Sequence, residues 1–161
     1  MKISGTHILT IALIFLLPVS IMAEVKQFDS IAGIEAQHKG VPWLLVIWST
    51  DCPPCYVELD MLSRLENRGE DIKVEYLSFD PASKRDDVFR VSDSFPIDTW
   101  FSNEPNREKL QMLIDVNWRG ELPRSYWYQA DGTRCSQSGI LNEQAVLKWF
   151  NQVAPDCGKM D

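Results

Sequence analysis

The run VPWLLVIWS, Val41 to Ser49, is apolar almost throughout and rich in strand-forming residues. Such a run suits a strand covered on both faces, so other structure has to lie above and below it. Directly after it comes DCPPC, Asp51 to Cys55, and proline is tolerated in the first turn of a helix. Val57, Leu59, Leu62 and Leu65 then recur at helical spacing until Gly69 stops the pattern. Ile72 to Asp80, IKVEYLSFD, alternates and then runs apolar, as a second strand does. Strand, helix, strand implies a parallel pair joined by a right-handed crossover, which places the chain in the α/β class.

The flanking segments are less regular. Val25 to Gly40 is mixed and reads as holding a short helix, roughly Ser30 to Lys39. Pro81 to Asn106 carries scattered charges, three prolines and the pair Trp100–Phe101, and reads as an insertion with one or two short helices. Arg107 to Asn117 is expected to be helical. Ser125–Ala130 and Thr133–Gly139 flank Asp131-Gly132, the pattern of a hairpin. Asn142 is placed to cap a last helix through Val153, with Ala145, Val146, Trp149, Phe150 and Val153 on its buried side. The order is β-α-β, an insertion and a helix, then β-β-α.

The first 25 residues, MKISGTHILTIALIFLLPVSIMAEV, follow the order of a secretory leader. Lys2 supplies the positive start, Ile8 to Leu17 the apolar stretch, Pro18 a break and Ala23 a small residue for cleavage. The apolar part is short against the roughly 20 residues of a membrane span. The expectation is a signal peptide over 1–23 and one domain over 24–161, with an uncleaved anchor as the alternative and the only contact with a membrane. Either way the domain is exported, to a periplasm or an equivalent outer face. A net charge of −7 argues against nucleic acid or anionic lipid as a partner.

All four cysteines, Cys52, Cys55, Cys135 and Cys157, lie in the exported part, where disulfides persist. Cys52 falls where the buried strand ends and the helix begins. Unpaired backbone N–H groups and the helix dipole favour an anion there, so its thiol pKa is expected below the free value of about 8.5. Cys55 lies one turn further in on the same face and is expected to be more buried. Cys52 thiolate would then attack a partner's disulfide and Cys55 would resolve the mixed disulfide. A structural zinc site needs further ligands, and neither the Cys135/Cys157 spacing nor the lone His38 supplies them. A purely structural Cys52–Cys55 bond closes too short a loop to stabilise much. A copper(I) site on the two thiolates is a third reading, without a nearby histidine or methionine-rich segment to support it. Cys135 stands near the start of the last strand and Cys157 just past the last helix, which returns antiparallel. A structural Cys135–Cys157 disulfide is expected from that geometry, closing a loop worth roughly 3 kcal/mol.

LVIWSTDCPPC resembles the strand-plus-motif pattern of the thioredoxin superfamily, and ELPRSYWYQADGTRCSQSGIL resembles its later Gly-x-Pro, strand, turn, strand pattern. Within the superfamily the chain looks like the exported TlpA/ResA branch, which includes proteins of cytochrome c biogenesis. The resemblance implies a thioredoxin-like three-layer fold, a central mixed sheet flanked by helices, with an insertion over 81–107 between the βαβ and ββα halves. It implies that Cys52 attacks and Cys55 resolves, and that Pro123 is a cis-proline opposite the dithiol, with Leu122 presenting its backbone to an extended partner. Glu58 falls where this branch has an acid near the site and would relay a proton; a solvated helix carboxylate is the alternative. Trp48 matches the strand-end aromatic, as a partner contact or as core packing. The implied activity is a protein-disulfide reductase needing no cofactor or metal, with disulfide-containing client proteins and a membrane-bound electron donor as partners. A disulfide donor or isomerase is the same chemistry reversed.

Departures from the pattern are informative. Asp51 stands where many relatives carry tryptophan, and its carboxylate opposes thiolate formation at Cys52. Val46 stands where cytoplasmic thioredoxins have a buried acid, which leaves Glu58 as the evident substitute.

Overall fold

The computed structural model describes residues 23–151. Residues 1–22 of the expected leader therefore lie outside it. Among the described residues no helix is long and apolar enough to cross a membrane.

Six strands form one mixed sheet in the order β1-β4-β3-β2-β5-β6. The strands are β1 (Val25–Gln27), β2 (Trp43–Trp48), β3 (Val74–Ser78), β4 (Thr99–Phe101), β5 (Arg124–Tyr128) and β6 (Arg134–Ser138). The first four strands in chain order run parallel, and β5 and β6 are antiparallel to their neighbours. The helices are α1 (Ile31–Glu35), α2 (Pro53–Asn67), α3 (Arg85–Ser94), α4 (Arg107–Ile114) and α5 (Glu143–Asn151).

Every residue of β2 is buried, as a strand covered on both faces requires. Its side chains divide by the two-residue period of a strand. Leu44, Val46 and Trp48 enter a core that holds Leu59, Leu62, Leu65, Val88, Val146 and Trp149, from α2, α3 and α5. Trp43, Leu45 and Ile47 enter the opposite core with Ile31, Ile34, Leu110 and Ile114, from α1 and α4. Three layers result, the expected architecture. The Asp131-Gly132 hairpin is present, and Gly132 takes the left-handed conformation (φ 87°) that its turn demands.

The insertion holds the short helix expected of it and, beyond that expectation, a strand. It holds a single α-helix, α3, preceded by a 3₁₀ turn over Ala82–Lys84, and then β4, which pairs with both β1 and β3. Trp100–Phe101 is thus part of the sheet. Strands β1 and β4 are three residues each, too short to display an alternation, and both exist because the neighbouring backbone supplies their hydrogen bonds. Two helix details differ as well. Val57 is 56% exposed, on the outer face of α2, and Ala145 of α5 is exposed while Val146 and Trp149 are buried. Asn142 caps α5, its Oδ1 accepting from Gln144 N (2.9 Å) and Ala145 N (3.2 Å). Val153 lies outside the described residues.

Candidate active site

Cys52 is the N-cap of α2, with Pro53 and Pro54 in the first turn, so the motif sits where β2 delivers the chain into the helix. Cys52 and Cys55 form a disulfide, with S–S 2.00 Å and Cα–Cα 5.3 Å. Cys55 is 1% exposed and Cys52 7%, the order expected of a buried and an outer sulfur. Cys55 N–H donates to Cys52 Sγ at 3.3 Å, so a helix N-terminal amide already faces the sulfur that would carry charge. Pro53, Pro54 and Val57 are exposed around it, giving a largely apolar rim.

The turn before Cys52 is held from β3. Residues Trp48 and Ser78 are register partners, which brings Asp80 beside Ser49 and Thr50. Asp80 is 1% exposed. Its Oδ1 accepts from Ser49 Oγ (2.9 Å) and Thr50 Oγ1 (2.8 Å), and its Oδ2 from Thr50 N (3.0 Å) and Ser78 Oγ (2.7 Å). Cys52 N then donates to Ser49 O at 3.1 Å. Tyr56 hydroxyl donates to Thr50 O on the same turn.

Asp51 points to solvent and pairs with Lys84, Nζ to Oδ1 3.3 Å, its side chain 66% exposed. The carboxylate that opposes a Cys52 thiolate is thus partly offset by a cation from the insertion. Lys84 also reaches Asp87 at 3.6 Å. Neither Asp80 nor Lys84 is legible as a site residue from sequence, because their proximity depends on the β2–β3 register and on the path of the insertion. The Ser-x-Asp-Pro run closing β3 was the available signal for Asp80.

Glu58 is fully buried, one turn beyond Cys55 on α2. Its Oε1 accepts from Ser125 Oγ (2.9 Å) and its Oε2 from Leu141 N (3.2 Å). Burial raises its pKa from 4.5 to about 7, against the lowering effect of those two hydrogen bonds. The alternative of a solvated helix carboxylate does not hold. The carboxyl ties α2 to β5 and to the lead-in of α5.

The Leu122–Pro123 bond is cis. Pro123 is buried and Leu122 half-buried, packed against the core that contains Cys52 and Cys55. Trp48 has no exposed surface, and its indole Nε1 donates to Thr99 Oγ1 at 3.0 Å. It therefore belongs to the packing beneath the motif and offers no face to a partner, a correction to its expected contact role. Cys135 is disulfide-bonded. Cys157, its expected partner, lies outside the described residues. Among the described residues no group of three or more His, Cys, Asp or Glu side chains is placed to hold a metal ion. A cavity of about 480 Å³ opens at the far end of β2, lined by His38, Trp43 and Tyr128, and involves none of the motif residues.

No family model matches the sequence, and no curated protein matches it. Solved structures are similar to it in fold. One is a secreted Mycobacterium tuberculosis disulfide oxidoreductase homologous to E. coli DsbE, at 17% identity and TM-score 0.52, covering 71% of this chain and 84% of that one. StoA from Bacillus subtilis is 16% identical with TM-score 0.51, covering 69% and 83%. The pneumococcal exposed lipoprotein thioredoxin from Streptococcus pneumoniae is 17% identical with TM-score 0.55, covering 73% and 89%. The chain has a thioredoxin-like fold.

Proposed function

We propose that the protein is an exported thiol–disulfide oxidoreductase that reduces disulfides of client proteins through Cys52 and Cys55. What carries this reading is the disulfide at the N-terminus of α2 with a buried carboxyl of near-neutral pKa one turn behind it. In the reduced protein the Cys52 thiolate attacks one sulfur of a client disulfide. A Cys52–client disulfide forms and the other client sulfur leaves as a thiolate. Glu58 takes the proton of Cys55, whose thiolate attacks Cys52 Sγ. The Cys52–Cys55 disulfide closes and the second client thiol is released, two electrons having passed to the client. Leu122, next to Pro123, presents its backbone to the client segment at the rim.

Export is supported by the leader-like order of residues 1–23 and by two similar proteins described as secreted and as an exposed lipoprotein. An exported compartment oxidises, so a membrane-bound dithiol donor would restore the reduced pair. The LVIWSTDCPPC and ELPRSYWYQADGTRCSQSGIL patterns are what support a place near the TlpA/ResA branch. The test uses insulin as a disulfide substrate. Wild-type protein should reduce it catalytically with a dithiol donor present, and Cys55→Ser should accumulate a mixed disulfide at Cys52, identified by mass spectrometry without reduction. No turnover together with no trapped adduct would sink the proposal.

A further inference from the structure

Among the described residues Asp80 is the buried carboxylate that the exchange steps leave without a role. Each of its oxygens accepts two hydrogen bonds, from Ser49 Oγ and Thr50 Oγ1 and from Thr50 N and Ser78 Oγ. A carboxylate offers about four lone-pair sites, and four partners occupy them, so the side chain is fully hydrogen-bonded where it stands. Three of the four bonds come from Ser49 and Thr50, the residues that lead into Asp51 and Cys52. The cradle thus fixes the turn that sets Cys52 at the helix N-cap, and it holds a buried negative charge against Thr50, which stands two residues before Cys52 in the chain. The neighbouring charges do not cancel it. Lys84, a cation on this side, divides its charge among Asp51 (3.3 Å), Asp87 (3.6 Å) and, at longer range, Asp80, while Arg90 pairs with Asp87. Tyr56, hydrogen-bonded to the same turn, has its phenol pKa raised by burial first and by Asp80 next.

We propose that Asp80 is a positioning residue for the dithiol: it clamps the Ser49–Cys52 turn, and its buried charge disfavours the Cys52 thiolate, so that the pair gives up electrons more readily. This rests on the redox reading of Cys52 and Cys55. A negative charge destabilises a nearby thiolate, and whatever destabilises the reduced form makes the couple a stronger reductant. The helix amide at Cys52 Sγ pulls the other way, and Asp80 offsets it.

The experiment reads the pH midpoint for iodoacetamide alkylation of Cys52 in the full chain, on a Cys55→Ser background so that a single active-site thiol reacts. Asp80→Asn keeps the shape and most of the hydrogen bonds and removes the charge. Its midpoint should fall by about one pH unit. At a pH above both midpoints, the Cys52–Cys55 pair carrying Asp80→Asn should become about tenfold easier to reduce against glutathione, about 30 mV. Thr50→Val keeps the charge and removes one donor, so it should move the midpoint upward. Loosening of the turn alone would shift both variants in the same direction. Asp93→Asn, an exposed acid on α3, should leave the midpoint where it was. An Asp80→Asn midpoint unchanged or raised overturns the inference, as does a Thr50→Val midpoint unchanged or lowered, and the latter decides the matter if Asp80→Asn does not fold. If the unmodified pair fails to exchange with glutathione at all, the redox reading falls first and this inference with it. Exchange in the wild type with no shift in the variants removes only the role of Asp80.

Discussion

Glu58→Gln should make this protein more stable at neutral pH. The folded pKa of Glu58 is raised from 4.5 to about 7 by burial. The folded state therefore holds the proton more tightly than the unfolded chain, and stability falls as pH climbs through the window from about 4.5 to about 7. Below that window both states carry the proton and the group costs little. Above it the folded protein keeps a desolvated carboxylate, at a cost of about 1.4 kcal/mol per pKa unit, or about 3 kcal/mol in all. Glutamine in the same pocket accepts from Leu141 N and donates to Ser125 Oγ, so both native partners stay satisfied. The expected result is a gain of about 3 kcal/mol at pH 8, shrinking toward zero at pH 4, seen as a Tm increase of roughly 10 °C in calorimetry at the higher pH. Both proteins are to be compared with the Cys52–Cys55 bond intact, since its reduction changes the unfolded state. The same variant should exchange disulfides more slowly, because the proton acceptor for Cys55 is gone. A variant no more stable than wild type at pH 8, or a wild type whose stability is flat between pH 4.5 and 7, would refute the reasoning.

Two further outcomes follow from the packing. Trp48→Phe removes the indole donor to Thr99 and leaves a gap beneath the motif, so it should cost about 1–2 kcal/mol in urea unfolding while the dithiol still reacts. Asn106→Ala removes the cap of α4, whose Oδ1 accepts from Lys109 N at 2.9 Å, and should cost about 1 kcal/mol by the same measurement.

The elements that could be read from the chain are those long enough to repeat a pattern. β2 announces its double burial in six consecutive apolar residues, and α2 and α5 display helical spacing with a cap or a proline pair at the start. β1 and β4 could not be read, because a three-residue strand has no period and owes its existence to backbone partners elsewhere. The site divides in the same way. Cys52 and Cys55 are legible because strand, motif and helix are contiguous. Glu58 was identifiable by position, but its burial depends on Ser125 and Leu141, residues 67 and 83 positions away. Asp51 looked like an uncompensated acid next to the thiol until the insertion brought Lys84 to it. Asp80 was invisible for the same reason: only the parallel register of β2 and β3 sets it against Ser49 and Thr50.

The direction of electron flow is the centre of the account, and the midpoint potential of the Cys52–Cys55 pair tests it most directly. Equilibration of the full chain with glutathione, or with a dithiol buffer at lower potentials, followed by quantification of the oxidised and reduced forms, gives the value. A potential close to the roughly −270 mV of thioredoxin is expected of a pair that reduces client disulfides. A potential close to the roughly −120 mV of DsbA would mark a disulfide donor and contradict it.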